Sequence, residues 1–201
     1  MWTLKPICVL IIFFVGLTVS IKVRCNHPET IREDHIHYCC KHPDGHNDII
    51  EMCANETKFK LPSKDEEALE DVTVAQLVAG TCFGKCVFQK FKFFKNHELD
   101  MNAVRQHYKE VHKMDPEYER EMISAFDHCH SRSEEETAKL MSFPFFRIKN
   151  VKFCDPKPSV VLSCVIYNFF HNCPKDRWAK TKECEETLEF AKKCKDALIS
   201  M

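Results

Sequence analysis

The chain has 201 residues, and its 29 Lys and Arg against 30 Asp and Glu give a net charge of −1. A near-neutral chain gives no electrostatic reason to expect nucleic acid or an anionic membrane as a partner. Its 4 glycines are too few for a dinucleotide turn or a phosphate loop. Because helix-forming residues fill the long stretches between them, we expect an all-α fold.

The first twenty residues have the pattern of a secretory signal peptide. Lys5 precedes an apolar run from Ile7 to Val19, and Thr18 and Ser20 are small residues at −3 and −1 of a cut after Ser20. The run is short for a membrane span, although a signal anchor is the alternative reading. We therefore expect a secreted, extracellular protein without membrane insertion.

An irregular N-terminal arm is expected over residues 21–63. Pro28 can begin a short helix that continues to Tyr38, and residues 47–63 read as a loose segment. Asn55 belongs to an Asn-Glu-Thr sequon, so it is a glycosylation candidate if it faces solvent.

Residues 64–201 are expected to form the helical ligand-binding domain. Asp115 is a plausible N-cap with Pro116 at the first helical position, and a long connection is expected over residues 131–153. The segment 160–170 is apolar almost all round, which is typical of a central buried helix. The expected helices are 72–94, 102–111, 116–129, 160–170 and 181–195.

Twelve of the 13 cysteines follow the signal segment, an even number that predicts six disulfides in an oxidising compartment. Cys82 and Cys86 are four apart in a predicted helix, where Cβ atoms lie about 5–6 Å apart, whereas a disulfide needs about 3.5–4.5 Å. They should therefore bond to different elements. The adjacent Cys39 and Cys40 should likewise have separate partners.

The cysteine spacing resembles the signature of insect odorant-binding proteins, and its additions resemble their Plus-C subfamily. Twenty-eight residues separate Cys53 from Cys82, three separate Cys82 from Cys86, and forty-two separate Cys86 from Cys129. Eight residues then separate Cys164 from Cys173, which Pro174 follows directly. The additional cysteines that match the Plus-C pattern are Cys154, Cys184 and Cys194, with Cys25, Cys39 and Cys40 in an N-terminal extension.

This resemblance implies a disulfide pairing and a C-terminal extension from about residue 174. The implied pairs are Cys53–Cys86, Cys82–Cys164 and Cys129–Cys173. The other six, which pair among themselves in an order left open, are Cys25, Cys39, Cys40, Cys154, Cys184 and Cys194. The resemblance also implies a carrier of odorants or semiochemicals in chemosensory lymph. A chemosensory receptor and a second copy of the chain are candidate partners that the sequence leaves open.

Abundant phenylalanine supports a binding role for a small apolar ligand, because aromatic side chains line many apolar pockets. Each of them could equally be an ordinary core residue. The candidate wall residues, chosen from the inner faces of the predicted helices, are Leu77, Phe88, Phe91, Tyr108, Phe126, Phe146, Val165, Tyr167 and Phe169.

Other functions leave weaker traces in the sequence. A secreted structural or inhibitory protein with a closed core is the main alternative. A phospholipase A2-like enzyme is a remote one, because Cys39-Cys40-Lys41-His42 places the histidine at the wrong spacing and no glycine loop precedes it. Zinc ligation by Cys39, Cys40 and His42 is disfavoured in an oxidising compartment. We expect no enzyme activity and no cofactor, and the histidines of the arm raise the hypothesis of pH-dependent ligand release.

Overall fold

The computed structural model describes residues 34–43, 47–61, 73–111 and 115–194. The expected signal peptide, the start of the first helix at Pro28, and Cys25 lie outside these residues. The elements of the described part are α1 (Asp34–Cys39), α2 (Asn47–Thr57), α3 (Val74–Lys90), β1 (Phe94–Lys95), β2 (Glu98–Leu99), α4 (Met101–Val111), α5 (Pro116–Ser142), α6 (Lys157–His171) and α7 (Lys182–Lys193), with a 3-10 turn at Pro144–Arg147. The expected all-α fold is confirmed, and its departures within the described residues are a two-stranded hairpin and one isolated β-bridge. No described helix is long and apolar enough to cross a membrane.

Three helices begin at side chains that cap their free backbone N–H groups. The Asp115 carboxylate accepts from the Tyr118 N–H at 3.0 Å, with Pro116 at the first helical position as expected. Thr73 forms a capping box with Gln76, whose amide oxygen accepts from the Thr73 N–H at 2.6 Å. Thr181 begins α7 by accepting from the Cys184 N–H at 3.2 Å. These caps account for the well-placed starts of α3, α5 and α7.

The loose reading of residues 47–63 was wrong, because residues 47–57 form the helix α2. Its buried residues Cys53 and Ala54 follow the half-buried Ile49 and Ile50 by one helical turn. This spacing places all four on one face, which packs against α3. Asn55 of the sequon is exposed on the other side of the helix.

The long connection expected after residue 129 was also wrong, because α5 continues to Ser142. The extra turns carry exposed charges in place of an apolar stripe. Arg132 pairs with Glu136 at 2.8 Å and Lys139 pairs with Glu135 at 2.9 Å, both four residues apart. Such pairs support helical turns that packing does not require.

The helix α3 stops at Lys90, four residues before the expected end, and the chain turns into the hairpin β1–β2. The Phe93 N–H donates to the Phe88 carbonyl at 2.9 Å, so the chain turns back and buries Phe93 to 2 % exposure. Asn96 and His97 form the hairpin turn with positive φ angles of 53° and 66°. Adjacent residues with positive φ are typical of tight hairpin turns.

The helix α6 lies at the centre of the described domain, as expected. Val161, Val165 and Phe169, spaced four apart, are each at most 2 % exposed. The helix packs against α5 and α3 and also contacts α1 and α7. At its start, the Ser159 hydroxyl donates to the Gly80 and Thr81 carbonyls of α3 at 3.0 and 3.1 Å. A Cβ on Gly84 would come within 2.8 Å of the Ser159 nitrogen, so glycine is required for this approach.

Five disulfides join the described helices. They are Cys39–Cys184, Cys40–Cys173, Cys53–Cys86, Cys82–Cys154 and Cys129–Cys164. Cys194 is also disulfide-bonded, and Cys25 lies outside the described residues. As the local geometry predicted, Cys82 and Cys86 have different partners, and so do Cys39 and Cys40. The pair Cys53–Cys86 is the one implied by the family resemblance.

The implied pairs Cys82–Cys164 and Cys129–Cys173 were wrong, and so was the pairing of Cys40 and Cys154 within the group of six additional cysteines. The physical reason is where α6 lies. Its start packs against α3, which brings Cys154 to Cys82, whereas Cys164 lies two turns further along and meets Cys129 of α5. Cys173 is thereby left for Cys40. The implied pairs joined the first cysteine of a set of six to the third, the second to the fifth, and the fourth to the sixth. The structure keeps this interlocked order if the six are Cys53, Cys82, Cys86, Cys129, Cys154 and Cys164.

The arm and the C-terminal segment are joined at one place. Cys40 bonds to Cys173, and its backbone forms an isolated antiparallel bridge with Trp178. The Ala179 N–H donates to the Cys39 carbonyl at 2.8 Å, and the Lys41 N–H donates to the Arg177 carbonyl at 3.1 Å. These contacts attach α1 to both α6 and α7.

Candidate ligand site and its aromatic core

Four buried rings from α3, the hairpin, α4 and α5 pack together, and we call this group the aromatic core. Its members are Phe88, Phe93, Tyr108 and Phe126, which are between 1 % and 7 % exposed. Phe93 is 6.0 Å from Phe88 and 5.6 Å from Phe126 between ring centroids. Phe126 is 5.8 Å from Tyr108. Such distances are those of directly packed rings.

The aromatic core reaches the surface between α3 and α4. Phe91 is half-buried, with its ring 5.2 Å from Phe93 and 5.1 Å from His107. Phe94 is also half-buried and stacks on Phe88 at 5.4 Å. We call Phe91, Phe94 and His107 the ring edge. An apolar molecule at this edge would meet aromatic faces on α3, the hairpin and α4.

A second group of rings continues from the aromatic core towards the arm. Tyr118 lies 6.0 Å from Tyr108 and 5.3 Å from Phe169. His42 of the arm is 4.7 Å from Phe169, and its Nδ1 is within hydrogen-bond distance of the Tyr118 hydroxyl at 3.0 Å. The Arg177 guanidinium lies 5.1 Å above the Tyr118 ring and pairs with Asp115. This group joins the arm, α5, α6 and the segment before α7.

Burial controls the chemistry of the tyrosines. It raises the pKa of Tyr108 well above 10, and the neighbouring Tyr118 raises it further. Burial also raises the pKa of Tyr118, and the Arg177 charge offsets this only in part. Both phenols are therefore neutral at physiological pH and can act as hydrogen-bonding groups in apolar surroundings.

The nine predicted wall residues do not share one site. Phe88, Tyr108 and Phe126 belong to the aromatic core, and Phe91 lies at the ring edge. The other five lie in four places. Val165 and Phe169 are buried on α6, and Leu77 is half-buried near the start of α3. The Phe146 ring packs against Phe153 at 4.5 Å between centroids. The Tyr167 hydroxyl donates to the Ala191 carbonyl at 2.8 Å.

Phe93 and Tyr118 were missed because they lay outside the helical stripe that selected the candidates. Phe93 was assigned to a helix that in fact ends at Lys90, so the helical period placed its side chain incorrectly. Tyr118 lies in the first turn after Pro116, before the apolar residues that were used. The sequence feature that could have identified Phe93 is the adjacent pair Phe93 and Phe94 near the end of the predicted helix.

An open pocket of about 330 Å³ lies at the hairpin and the start of α4. It is lined by Lys95, Asn96, Glu98, Leu99, Asp100, Met101 and Asn102. None of the nine predicted wall residues lines it. Five of its seven lining residues have polar or charged side chains, and Leu99 and Met101 are apolar.

The base of the hairpin is held by a nearly buried lysine. Lys157, 8 % exposed at the start of α6, donates to Glu98 of β2 at 2.8 Å and also pairs with Glu134 of α5. Burial lowers the pKa of Lys157, but its hydrogen bonds to Glu134 and Glu98 outweigh that effect and leave the pKa raised. The hydrogen bond from Lys157, followed by its charge, lowers the pKa of Glu98.

We expect the variant Glu98→Gln to lower the thermal midpoint above about pH 5 and to have no effect near pH 2. The folded-state pKa of Glu98 is below its ordinary value of 4.5, so its contribution is present above that value and is lost as the pH falls through the folded pKa. Thermal unfolding of both proteins between pH 2 and pH 7 tests this. Glu51→Gln, at an exposed site on α2, should show no such dependence. An equal Glu98→Gln effect at both ends of the range would contradict the ion-pair assignment.

The structure bears on the alternative that Cys39, Cys40 and His42 bind zinc. Cys39 and Cys40 are both in disulfides, so neither supplies a thiolate to a metal. Within the described residues, no group of three His, Cys, Asp or Glu side chains could hold a metal ion. His42 contacts Tyr118 and Phe169, as described above.

The described part of the chain is thus a disulfide-stapled helical domain, with an aromatic core that reaches the surface at one edge. The AgamOBP47-like family model matches residues 46–190, which is more than half of the chain. The chain therefore belongs to this family of insect odorant-binding proteins. No curated protein and no solved structure shows significant similarity to it.

Proposed function

We propose that this protein binds small apolar molecules, odorants or semiochemicals, and carries them through the extracellular fluid around chemosensory neurons. The observation that carries the proposal is the family match over residues 46–190, which includes the whole aromatic core. Binding without catalysis is consistent with the described cysteines, because all eleven are disulfide-bonded and none offers a nucleophilic thiolate. A chemosensory receptor would be the partner that takes up the ligand.

We place the ligand at the ring edge. Phe91, Phe94 and His107 are half-buried there, so an incoming molecule can reach apolar rings without displacing a fully buried side chain. Behind them lies the buried Tyr108 ring, and this burial keeps its phenol neutral. The disulfides Cys53–Cys86 and Cys82–Cys154 fix α3, which carries Phe88 behind the ring edge and leads directly into Phe91, against its neighbours.

Plus-C membership is a finer proposal about the same family. Two disulfides, Cys39–Cys184 and Cys40–Cys173, lie outside the interlocked set of six cysteines. Cys39–Cys184 attaches the N-terminal arm to the C-terminal helix α7, and Cys40–Cys173 attaches it to the residues that follow α6. Extensions at both ends of the chain are what the Plus-C pattern implies. Secretion is supported by the number of disulfides, because such bonds persist in oxidising compartments.

We expect Phe91→Ala to weaken binding of an apolar fluorescent probe, 1-N-phenylnaphthylamine, by about tenfold. The change removes a large half-buried ring from the proposed site, and loss of such apolar contact costs about 1–2 kcal/mol of binding free energy. Fluorescence titration, followed by displacement with a panel of alcohols, aldehydes and esters, measures the affinity of each variant.

Phe146→Ala is the matched control for this experiment. Phe146 is also a half-buried candidate wall residue. Its ring packs against Phe153 at 4.5 Å between centroids, and among the described residues it has no ring contact with the aromatic core. We expect its probe affinity to equal that of the unaltered protein. Absence of displaceable probe binding in the unaltered protein would favour the alternative of a closed-core structural or inhibitory protein, which the close packing of the aromatic core supports. Repeating the titration at pH 5 tests pH-dependent release.

A further inference from the structure

The segment after α5 exposes an unusual concentration of large apolar side chains. Met141, Phe143, Phe145 and Ile148 are each between 42 % and 44 % exposed, and all four lie within eight residues. Single exposed apolar residues are ordinary, but a contiguous group of this kind marks a surface that contacts something apolar. We call these four residues the apolar patch.

The backbone under the apolar patch is ordered by local contacts. The Phe146 N–H donates to the Phe143 carbonyl at 3.2 Å and the Ile148 N–H donates to the Phe145 carbonyl at 3.4 Å. Phe146 is half-buried and its ring packs against Phe153 in a tilted arrangement, which closes residues 147–152 into a short loop. The exposed rings therefore project from a defined backbone.

That short loop places positive charge beside the apolar patch. Arg147, Lys149 and Lys152 are exposed, and none forms an ion pair with any residue of the described chain. Residues 138–154 contain four basic side chains and no acidic one, although the whole chain has a net charge of −1. The net charge of the whole chain conceals this local excess of positive charge.

We propose that the apolar patch and its three neighbouring cations dock the protein on an anionic lipid surface, without a membrane-spanning segment. Aromatic side chains favour the boundary between headgroups and acyl chains, and basic side chains are attracted to anionic headgroups. A lipid surface thus satisfies both features of the segment. The inference does not depend on ligand carriage.

A second copy of the chain fits this surface less well. A two-fold symmetric contact would place the same segment of each copy against the other. The two sets of Arg147, Lys149 and Lys152 would then lie in one interface, and like charges brought together there oppose association. Charge complementarity therefore favours an anionic partner over self-association.

Vesicle flotation of the purified, disulfide-intact protein tests the proposal. We expect binding to phosphatidylcholine vesicles that contain roughly 30 % phosphatidylglycerol, and much weaker binding to phosphatidylcholine alone. Phe143→Ser with Phe145→Ser should weaken binding by about tenfold or more, because both anchoring rings are lost. Since these rings are exposed, circular dichroism should show an unchanged fold.

A charge-matched pair of triple variants tests the electrostatic part. Arg147→Gln, Lys149→Gln and Lys152→Gln together should weaken binding by about 100-fold, at roughly fivefold for each cation near the surface. The control triple variant replaces exposed lysines elsewhere, with Lys60→Gln, Lys109→Gln and Lys180→Gln, and should bind within about twofold of the unaltered protein.

Three outcomes would overturn the proposal. The first is absence of binding to the anionic vesicles, and the second is binding that the control triple variant weakens as much as the Arg147, Lys149 and Lys152 variant does. The third is that the protein does not bind vesicles but associates with itself in sedimentation equilibrium, and that the Phe143→Ser, Phe145→Ser variant does not associate. That result would assign the apolar patch to a second copy of the chain.

Discussion

Phe88→Ala is expected to lower the free energy of unfolding by about 3–5 kcal/mol, among the largest effects of any single substitution in this chain. The Phe88 side chain is 1 % exposed, and its ring packs against Phe93, Phe94 and Phe126. Removing the ring leaves a cavity that α3, the hairpin and α5 border. The disulfides Cys53–Cys86, Cys82–Cys154 and Cys129–Cys164 hold α3 and α5 to their other neighbours and so limit collapse into the cavity. Urea unfolding of the oxidised protein measures the change.

Phe145→Ala is the control, because it removes the same ring from a position that is 44 % exposed. Exposed substitutions of this kind change stability by no more than about 0.5 kcal/mol. If the two variants lost similar amounts of stability, Phe88 would not be packed as the structure describes. Binding of the fluorescent probe to the Phe88→Ala protein also reports whether the new cavity admits a ligand.

Removal of the Cys129–Cys164 disulfide by Cys129→Ala with Cys164→Ala is expected to cost about 2–4 kcal/mol. This bond closes a sequence separation of 35 residues and joins α5 to α6, the pair of helices with the most extensive mutual packing in the described domain. Its loss mainly increases the conformational freedom of the unfolded chain. Urea unfolding compares the variant with the fully oxidised protein, and intact mass confirms that the other disulfides are formed.

Removal of the Cys39–Cys184 disulfide should cost about 1 kcal/mol less, although its sequence separation is 145 residues. The reason is the adjacent bond Cys40–Cys173, which stays in place. With that bond intact, Cys39–Cys184 closes only the short path through Cys40 and the residues from 173 to 184. A larger loss for Cys39–Cys184 than for Cys129–Cys164 would contradict this account of loop closure.

The predictions about the fold that held were those that local chemistry decides. Asp115 and Pro116 begin a helix because an N-cap acceptor and a proline suit the free end of a helix wherever it lies. The different partners of Cys82 and Cys86 follow from the spacing of side chains on one helix. Both arguments require only neighbours along the chain.

The predictions that were wrong required knowledge of distant neighbours. The family spacing implied that Cys82 bonds to Cys164, but the start of α6 meets α3 at Ser159 and brings Cys154 to Cys82 instead. The expected end of α5 at residue 129 was too early. Ion pairs between exposed side chains support its further turns up to Ser142, where no apolar stripe is present.

Part of the aromatic core was anticipated from the sequence. Phe88, Tyr108 and Phe126 were chosen from three separate helices, and the structure brings these three together. Phe146, from the expected connection, and Tyr167, from a predicted helix, were also candidates. The Phe146 ring instead packs against Phe153, and the Tyr167 hydroxyl donates to the Ala191 carbonyl. The helical period of a sequence shows which face of a helix is apolar, but it does not show which other element packs against that face.

By itself the sequence determined the helical class of the protein, the start of its best-capped helices, and a cysteine pattern that identifies its family. These follow from backbone propensity, capping and covalent geometry, which act over a few residues. Only the tertiary structure decided which cysteines meet, which rings form the aromatic core, and where exposed phenylalanines lie beside uncompensated positive charge. Those outcomes depend on how helices far apart in the chain pack, and packing is a property of the whole domain.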